Sequence, residues 1–314
     1  MAVNSGEILF VKAVKDGIPN RDPLNDSDAR RIFGEDDGRI SLSDVSIKRD
    51  VRDYVLARYP DGGGDGGRYY VFCREERKAD GKLLGRDGLA EAILEKAGRK
   101  EHPDKPAALL ESAFDMRVFG AVFAVSKKSF HKTGPVQFGW AHSLHPVETR
   151  YVQGTVVMPS RDISDAGGDE GKEQGTIWTT YTLPFAVFAM PGVINASIAE
   201  ETKMSGEDLE LLLEGLWKGT LHRQARGRGI QQPLLLIHVE YKDRFFRIGY
   251  LEEHLNLEPG REAWLGGQPP TSLEEVTLDI SKLADLIGSN SPCCDKIARA
   301  RWIKTPGLKT KGEL

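Results

Sequence analysis

Cysteine is scarce in this sequence: Cys73 and the adjacent Cys293 and Cys294 are the only three in 314 residues. They make neither a disulfide framework nor the paired spacing of a zinc site, and such usage fits a reducing cytoplasm. No segment approaches the roughly 20 uncharged apolar residues of a membrane-spanning helix. The opening residues 1–7, MAVNSGE, lack the basic-then-apolar pattern of a signal peptide. The motifs of serine hydrolases (G-x-S-x-G) and P-loop proteins are absent, and the glycine run 62–67 follows a helical pattern, whereas the G-x-G-x-x-G of dinucleotide binders follows a strand. Gly227 and Gly229 begin the last of these but lack its third glycine and a preceding strand. Positive charge is also short, since 43 Lys and Arg face 47 Asp and Glu, a net charge of −4. A chain that grips nucleic acid with its whole surface is normally basic. Any hold on an anionic polymer must therefore come from local patches.

What is present is the material of a globular core. Hydrophobic residues make up 39% and charged residues 29%, enough for one large domain with insertions or two smaller ones. Residues 7–15, EILFVKAVK, are apolar on both faces and rich in branched side chains, the pattern of a central strand covered on both sides. Glycine, proline, Asn and Asp crowd residues 16–26 and predict a loop. A short strand at 39–42 precedes a helix that begins near Ser43, with Asp44 in its first turn and Ile47, Val51, Tyr54 and Val55 on one stripe. That helix stops before Tyr59, and a glycine-rich loop follows at 61–67. Residues 68–112 read as an inserted, mostly helical and highly charged segment.

Strand patterns resume at 118–125, 136–143 and 151–158, and the last pairs with 176–182 as a long hairpin with a polar tip. Ser205 and Asp208 form a capping-box-like start to a helix through Lys218 that carries Leu209, Leu212, Leu213 and Leu216. A further buried strand is expected at 233–241, with 245–250 as its neighbour. From about Gly260 the chain reads as an appendage of one short strand and two short helices. The order of elements is α+β, helices over an antiparallel sheet, and a modified ferredoxin-like or RRM-like core with a hairpin excursion fits it.

Four places offer chemistry. The loop holding Asn20 and Arg21, beside the helix start with Ser46, Lys48 and Arg49, can present N–H groups and cations to phosphates. The alternative is a solvated helix face. His142 and His145, with Glu148 nearby, lack the partners of a metal site, and core aromatics at a strand end explain the segment better. The acidic run 35–37 reads as a polar turn. The hairpin 151–182 has nothing of its own to pack against, as interaction arms do. The loop 222–229 carries Arg223, Arg226 and Arg228 among glycines, a composition suited to phosphate contact, though it equally complements a helix C-terminus. The residues by themselves describe a cytoplasmic α+β protein that binds an anionic partner and is not an enzyme.

Taken in order, several segments resemble the backbone subunit of type I CRISPR Cascade complexes, the Cas-seven family of the RAMP superfamily. They are DGIPNRDPL (16–24), DVSIKRDVR (44–52), DMRVFG (115–120), GPVQF (134–138) with SLHPVE (143–148), PFAVF (184–188) and QQPLLL (231–236). The last favours subtype I-B over I-C. The sequence departs from the family pattern at Arg21, where glycine is expected, and at His142, where arginine is more usual.

The resemblance implies a hand-like shape. Its palm is RRM-like (1–59, 116–147 and 184–259), with inserted helical fingers (60–115), a long β-hairpin thumb (148–183) and a C-terminal appendage (260–314). It implies a subunit that oligomerises along crRNA and displays it to target DNA, with no cofactor, no metal and no catalysis of its own. The RNA-binding residues implied or read from pattern are Asn20, Arg21, Ser46, Lys48, Arg49, Arg52, His142, Ser143, Arg223, Arg226 and Arg228, with Met158 as the thumb wedge that displaces a base. Implied partners are other copies of itself, the large, small, guide-processing and guide 5′-end-capping subunits of Cascade, and a recruited helicase-nuclease. The alternative is a RAMP-type metal-dependent endoribonuclease, as in type III complexes, using Asp22 or Asp162.

Overall fold

Nine of the ten residues of GEILFVKAVK are buried, and the run forms strand β1 (Gly6–Lys15) inside the main sheet of the computed structural model. The structure describes residues 2–25, 28–64, 66–125, 128–155 and 177–314. After β1 come β2 (Ser41–Leu42), α1 (Asp44–Arg58), α2 (Arg86–Lys96), α3 (Lys105–Ser112) and α4 (Phe114–Phe119). The middle of the chain forms β3 (Gly120–Val125), β4 (Lys128–Thr133), β5 (Val136–Phe138), β6 (Ala141–Ser143), β7 (Arg150–Thr155), β8 (Ile177–Thr182) and β9 (Phe185–Ile194). The rest forms α5 (Ala196–Thr202), α6 (Gly206–His222), β10 (Ile230–Tyr241), β11 (Asn256–Glu258), α7 (Arg261–Leu265), β12 (Thr277–Asp279), α8 (Ser281–Ile287), β13 (Ile297–Lys304) and β14 (Thr310–Lys311).

The main sheet runs β13-β10-β1-β9-β6-β2, with β5 also on β9, and its pairs are antiparallel. Alternation along β1 splits the core, because successive side chains of a strand point to opposite faces. Ile8, Phe10 and Val14 pack with Ile47, Val51 and Val55 of α1 and with Leu209, Leu212 and Leu216 of α6. Leu9, Val11 and Ala13 face the other way, under Trp264, Leu278, Leu283 and Ile287 of the C-terminal elements. The α+β class is thus as expected. Between residues 68 and 112, α2 and α3 share a small core of their own through Ile93, Leu94, Ala108 and Leu109. No helix among the described residues is long and apolar enough to cross a membrane.

Local chemistry explains the two helices that flank the site. Ser43 stands at the N-cap of α1 in an extended conformation without a side-chain cap bond, and Asp44 lies in the first turn, where its charge suits the helix dipole. Ser205 and Asp208 make a complete capping box at α6. α1 and α6 approach closely because Gly219 carries no side chain, and a Cβ there would stand 2.3 Å from the Asp50 carbonyl oxygen.

Several expected elements differ. Val118 and Phe119 belong to α4, and the strand starts only at Gly120, whose φ of 79° ends the helix. Segment 136–143 is two strands, because the chain breaks at Gly139, whose N–H donates to the Pro191 carbonyl. Segment 245–250 does not neighbour β10. It is a loop tied to the buried Glu7 carboxylate through the Ile248 and Gly249 N–H groups, and β13 takes the place beside β10. The chain from Gly260 therefore holds three strands and not one, and β13 extends the main sheet. Strand β9 and helix α5 were not expected at all.

Candidate nucleic-acid interface

Antiparallel pairing of β1 with β10 sets Lys15 opposite Ile230, so the loop after β1 and the loop before β10 leave the sheet at one edge. The two loops touch there. Ile18 donates its N–H to the Gly227 carbonyl at 2.9 Å, and a Cβ on Gly17 would lie 2.1 Å from the Gly229 nitrogen. Glycine at both positions is what lets the backbones meet. The start of α1 closes the third side, with the Asn20 amide 3.4 Å from the Ser43 hydroxyl. The result is a pocket of about 400 Å³ whose wall includes Asn20, Arg21, Ser46, Arg49, Arg223, Arg226 and Arg228.

One carboxylate organises the pocket from beneath. Asp50, fully buried on α1, receives Arg223 Nη1 at 2.9 Å on Oδ1 and Arg228 Nη2 at 2.8 and 3.1 Å on its two oxygens. Lys12 Nζ, from the buried middle of β1, lies 3.4 Å from Asp50 Oδ2 and donates to Gln231 Oε1 at 2.8 Å. Asp53 pairs with Arg49 at 2.7 Å and with Arg223 at 3.4 Å. Six cations, Lys12, Arg21, Arg49, Arg223, Arg226 and Arg228, thus meet two carboxylates, an excess of four positive charges in a chain of net charge −4. Burial lowers the Lys12 pKa to about 8, with Asp50 working against it. Burial also presses the Arg228 guanidinium down from its ordinary value, again opposed by Asp50.

The hairpin borders the same pocket. Arg21 Nη2 donates to the Thr180 hydroxyl at 2.6 Å, and the Arg226 guanidinium lies 4.9 Å from the centre of the Trp178 ring. β7 and β8 pair from Arg150 with Thr182 to Thr155 with Ile177. Met158, Asp162 and the tip at 160–173 lie outside the described residues.

Other expected residues stand apart from this wall. Lys48 pairs with Asp44 at 2.8 Å and lies over the Phe119 ring. Arg52 donates to the buried Asp115 at 2.8 Å and covers the same ring. His142, on β6, lies 2.9 Å from the Ser41 hydroxyl and packs against Phe33, over which Arg39 is placed. Burial lowers the His142 pKa, helped by Arg39. Ser143 is buried, accepts the Ile40 N–H and donates to the His145 carbonyl. His145 stacks on Trp264, with ring centres 3.3 Å apart. Asp22 accepts the Leu24 N–H and lies 4.0 Å from Arg30. Among the described residues, no group of three His, Cys, Asp or Glu is placed to hold a metal ion.

Sequence reasoning missed Lys12, Asp50 and Gln231. Two signals marked them: a lysine in the middle of an apolar strand, and an aspartate between Ile47 and Val51 on the buried stripe of a helix.

Residues 4–281 match the family described as CRISPR-associated protein Cas7. The CRISPR-associated protein Cas7 of Haloferax volcanii is 26% identical over 304 residues, covering 91% of this chain and 83% of that protein. Among solved structures, a chain of a CRISPR RNA-guided surveillance complex in a pre-nicking state shares the fold. Its TM-score is 0.50 at 16% identity, over 77% of this chain and 80% of that one. A chain of a second CRISPR RNA-guided surveillance complex gives a TM-score of 0.43 at 15% identity, over 78% and 74% of the two chains.

Proposed function

The chain belongs to the CRISPR-associated Cas7 family, and from that premise we propose that it is the crRNA-binding backbone subunit of a type I Cascade complex, of subtype I-B. The main sheet with α1 and α6 is the palm, residues 60–115 are the fingers, and the hairpin rising from β7 and β8 is the thumb. The crRNA backbone lies in the arginine pocket, and the hairpin beside the pocket reaches over it toward the next copy. The subunit holds RNA without cutting it and displays it to target DNA. Large, small, guide-processing and 5′-end-capping subunits complete the complex, and a helicase-nuclease recruited to it does the cleavage.

The observation that carries this reading is the pocket's excess of cations against the chain's negative total. A concave patch of guanidinium groups on an acidic protein attracts phosphodiesters locally and repels its own copies elsewhere. An isolated subunit therefore binds short RNA weakly. Contact with a neighbour adds to each RNA contact and makes binding cooperative along the strand. Affinity measured on RNAs that span one, two and several subunits should rise with length far more than the number of sites accounts for. Affinity per site that stays flat with length would make this an independent RNA-binding module and not a filament subunit.

A further inference from the structure

We propose that Lys12, sealed beneath the arginine pocket, is a proton-dependent regulator of the pocket's hold on a phosphodiester backbone. The proposal rests on the reading of the pocket as the crRNA site. Asp50 is a single carboxylate shared by Lys12, Arg223 and Arg228, so a net charge of about two remains in a low-dielectric setting that favours arrival of an anion. A second feature points to the same ligand. Arg228 is only 6% exposed, and its buried Nε–H has no hydrogen-bond partner although the residue lines the pocket. A donor left unpaired in this way is completed by an incoming oxygen.

Lys12 is 1% exposed and forms no part of the pocket wall, so it acts through Asp50. With its proton, Lys12 competes for the Asp50 carboxylate and adds a charge to the cluster. Without it, Asp50 is left to the two arginines alone, and the cluster's excess charge falls by one. Both changes weaken attraction for phosphate. The groups that face Lys12 are Asp50 from α1, Arg223 and Arg228 from the loop, and Gln231 from β10, while its neighbour on β9 is the apolar Phe188. Burial together with the two arginines brings its proton loss down to about pH 8.

The test measures the affinity of the full chain for an oligoadenylate, whose bases do not titrate in this range, from pH 7 to pH 9 at fixed ionic strength. Wild-type affinity should fall about three- to tenfold across that range, the effect of one charge removed several ångströms from a phosphate. K12M should be flat with pH and, at pH 7, match the wild type at pH 9. K12R, whose charge does not titrate, should be flat at the tighter level, and it serves also if K12M fails to fold. A wild-type profile without the step, or a step that persists in K12M, overturns the proposal and leaves the crRNA reading standing. Absence of salt-dependent binding at every pH overturns both.

Discussion

Two buried arginine–aspartate clusters stand on the same side of the main sheet, and they differ in how completely the most buried arginine of each uses its donors. Arg117, on α4, is fully buried and spends all its N–H groups. Nε and Nη2 donate to Asp208 at 3.1 and 2.7 Å, and the remaining donors reach the carbonyls of Leu110, Glu111 and Arg68. Asp208 also caps α6, so this cluster fastens the chain around α3 and α4 to α6. Burial works to raise the Asp208 carboxyl, and the Arg117 guanidinium outweighs it, leaving the pKa below its ordinary value. Around Asp50 three cations share one carboxylate, and the unpaired Nε–H belongs to Arg228, which lines the pocket; at Asp208 the unpaired Nε–H belongs to the partly exposed outer partner Arg68. An arginine with every donor used fastens a fold, whereas a surplus of cations at a pocket wall is poised for an anionic ligand.

The contrast can be broken by mutation, and its largest effect lies in the Arg117 cluster. Arg117→Met leaves the buried Asp208 with the partly exposed Arg68 as its remaining ion-pair partner, and should cost about 3–5 kcal/mol in urea denaturation. A cost under about 1 kcal/mol would mean that this pair is not what joins the two regions.

Alkaline stability separates the clusters next. The folded-state pKa of Lys12, about 8, is below its unfolded value of 10.5, so between these the unfolded chain binds more protons and stability rises with pH. Unfolding free energy of the wild type relative to Lys12→Met should therefore gain about 1–2 kcal/mol from pH 8 to pH 9.5. A difference that stays constant over this range would mean that Lys12 keeps its proton in the fold as it does in the unfolded chain. The smallest effect distinguishes neighbours on α1. Arg49→Ala should make the log–log salt dependence of RNA binding shallower by about 0.7, the value for one phosphate on a single strand. Lys48→Ala, whose side chain is engaged by Asp44 and Phe119, should leave the slope unchanged. Equal slopes in the two variants would contradict the placement of the pocket.

Legibility followed the range of the interactions. β1, α1 and α6 could be read because their signals are local: a buried apolar run, a stripe from Ile47 to Val55, a capping box at Ser205 and Asp208. β9 was hidden because Pro191 and Gly192 interrupt a strand whose stability comes from pairing with β1, 182 residues away in sequence at Leu9 and Pro191. β13, IARARWIK, is an edge strand with no fully buried position, so its pattern carries little apolar signal. In the site, Arg21, Arg49, Arg223, Arg226 and Arg228 stood out as basic residues beside glycine and helix ends. That they share one pocket depends on the β1–β10 register, which no local pattern encodes. Lys48 and Arg52 lie four apart on one face of α1 with Arg49 further round, and Asp44 and Asp115 hold the first two beside Phe119 and away from the pocket wall.

The most direct measurement is the salt dependence of RNA binding for a triple variant, Arg21→Ala, Arg49→Ala and Arg226→Ala, which leaves the buried Asp50 cluster intact. If the pocket holds the RNA backbone, the log–log slope should be shallower than wild type by about 2, the sum for three lost phosphate contacts, with the circular dichroism spectrum unchanged. A folded triple variant that keeps the wild-type slope and affinity would contradict the assignment of this pocket as the RNA-binding site.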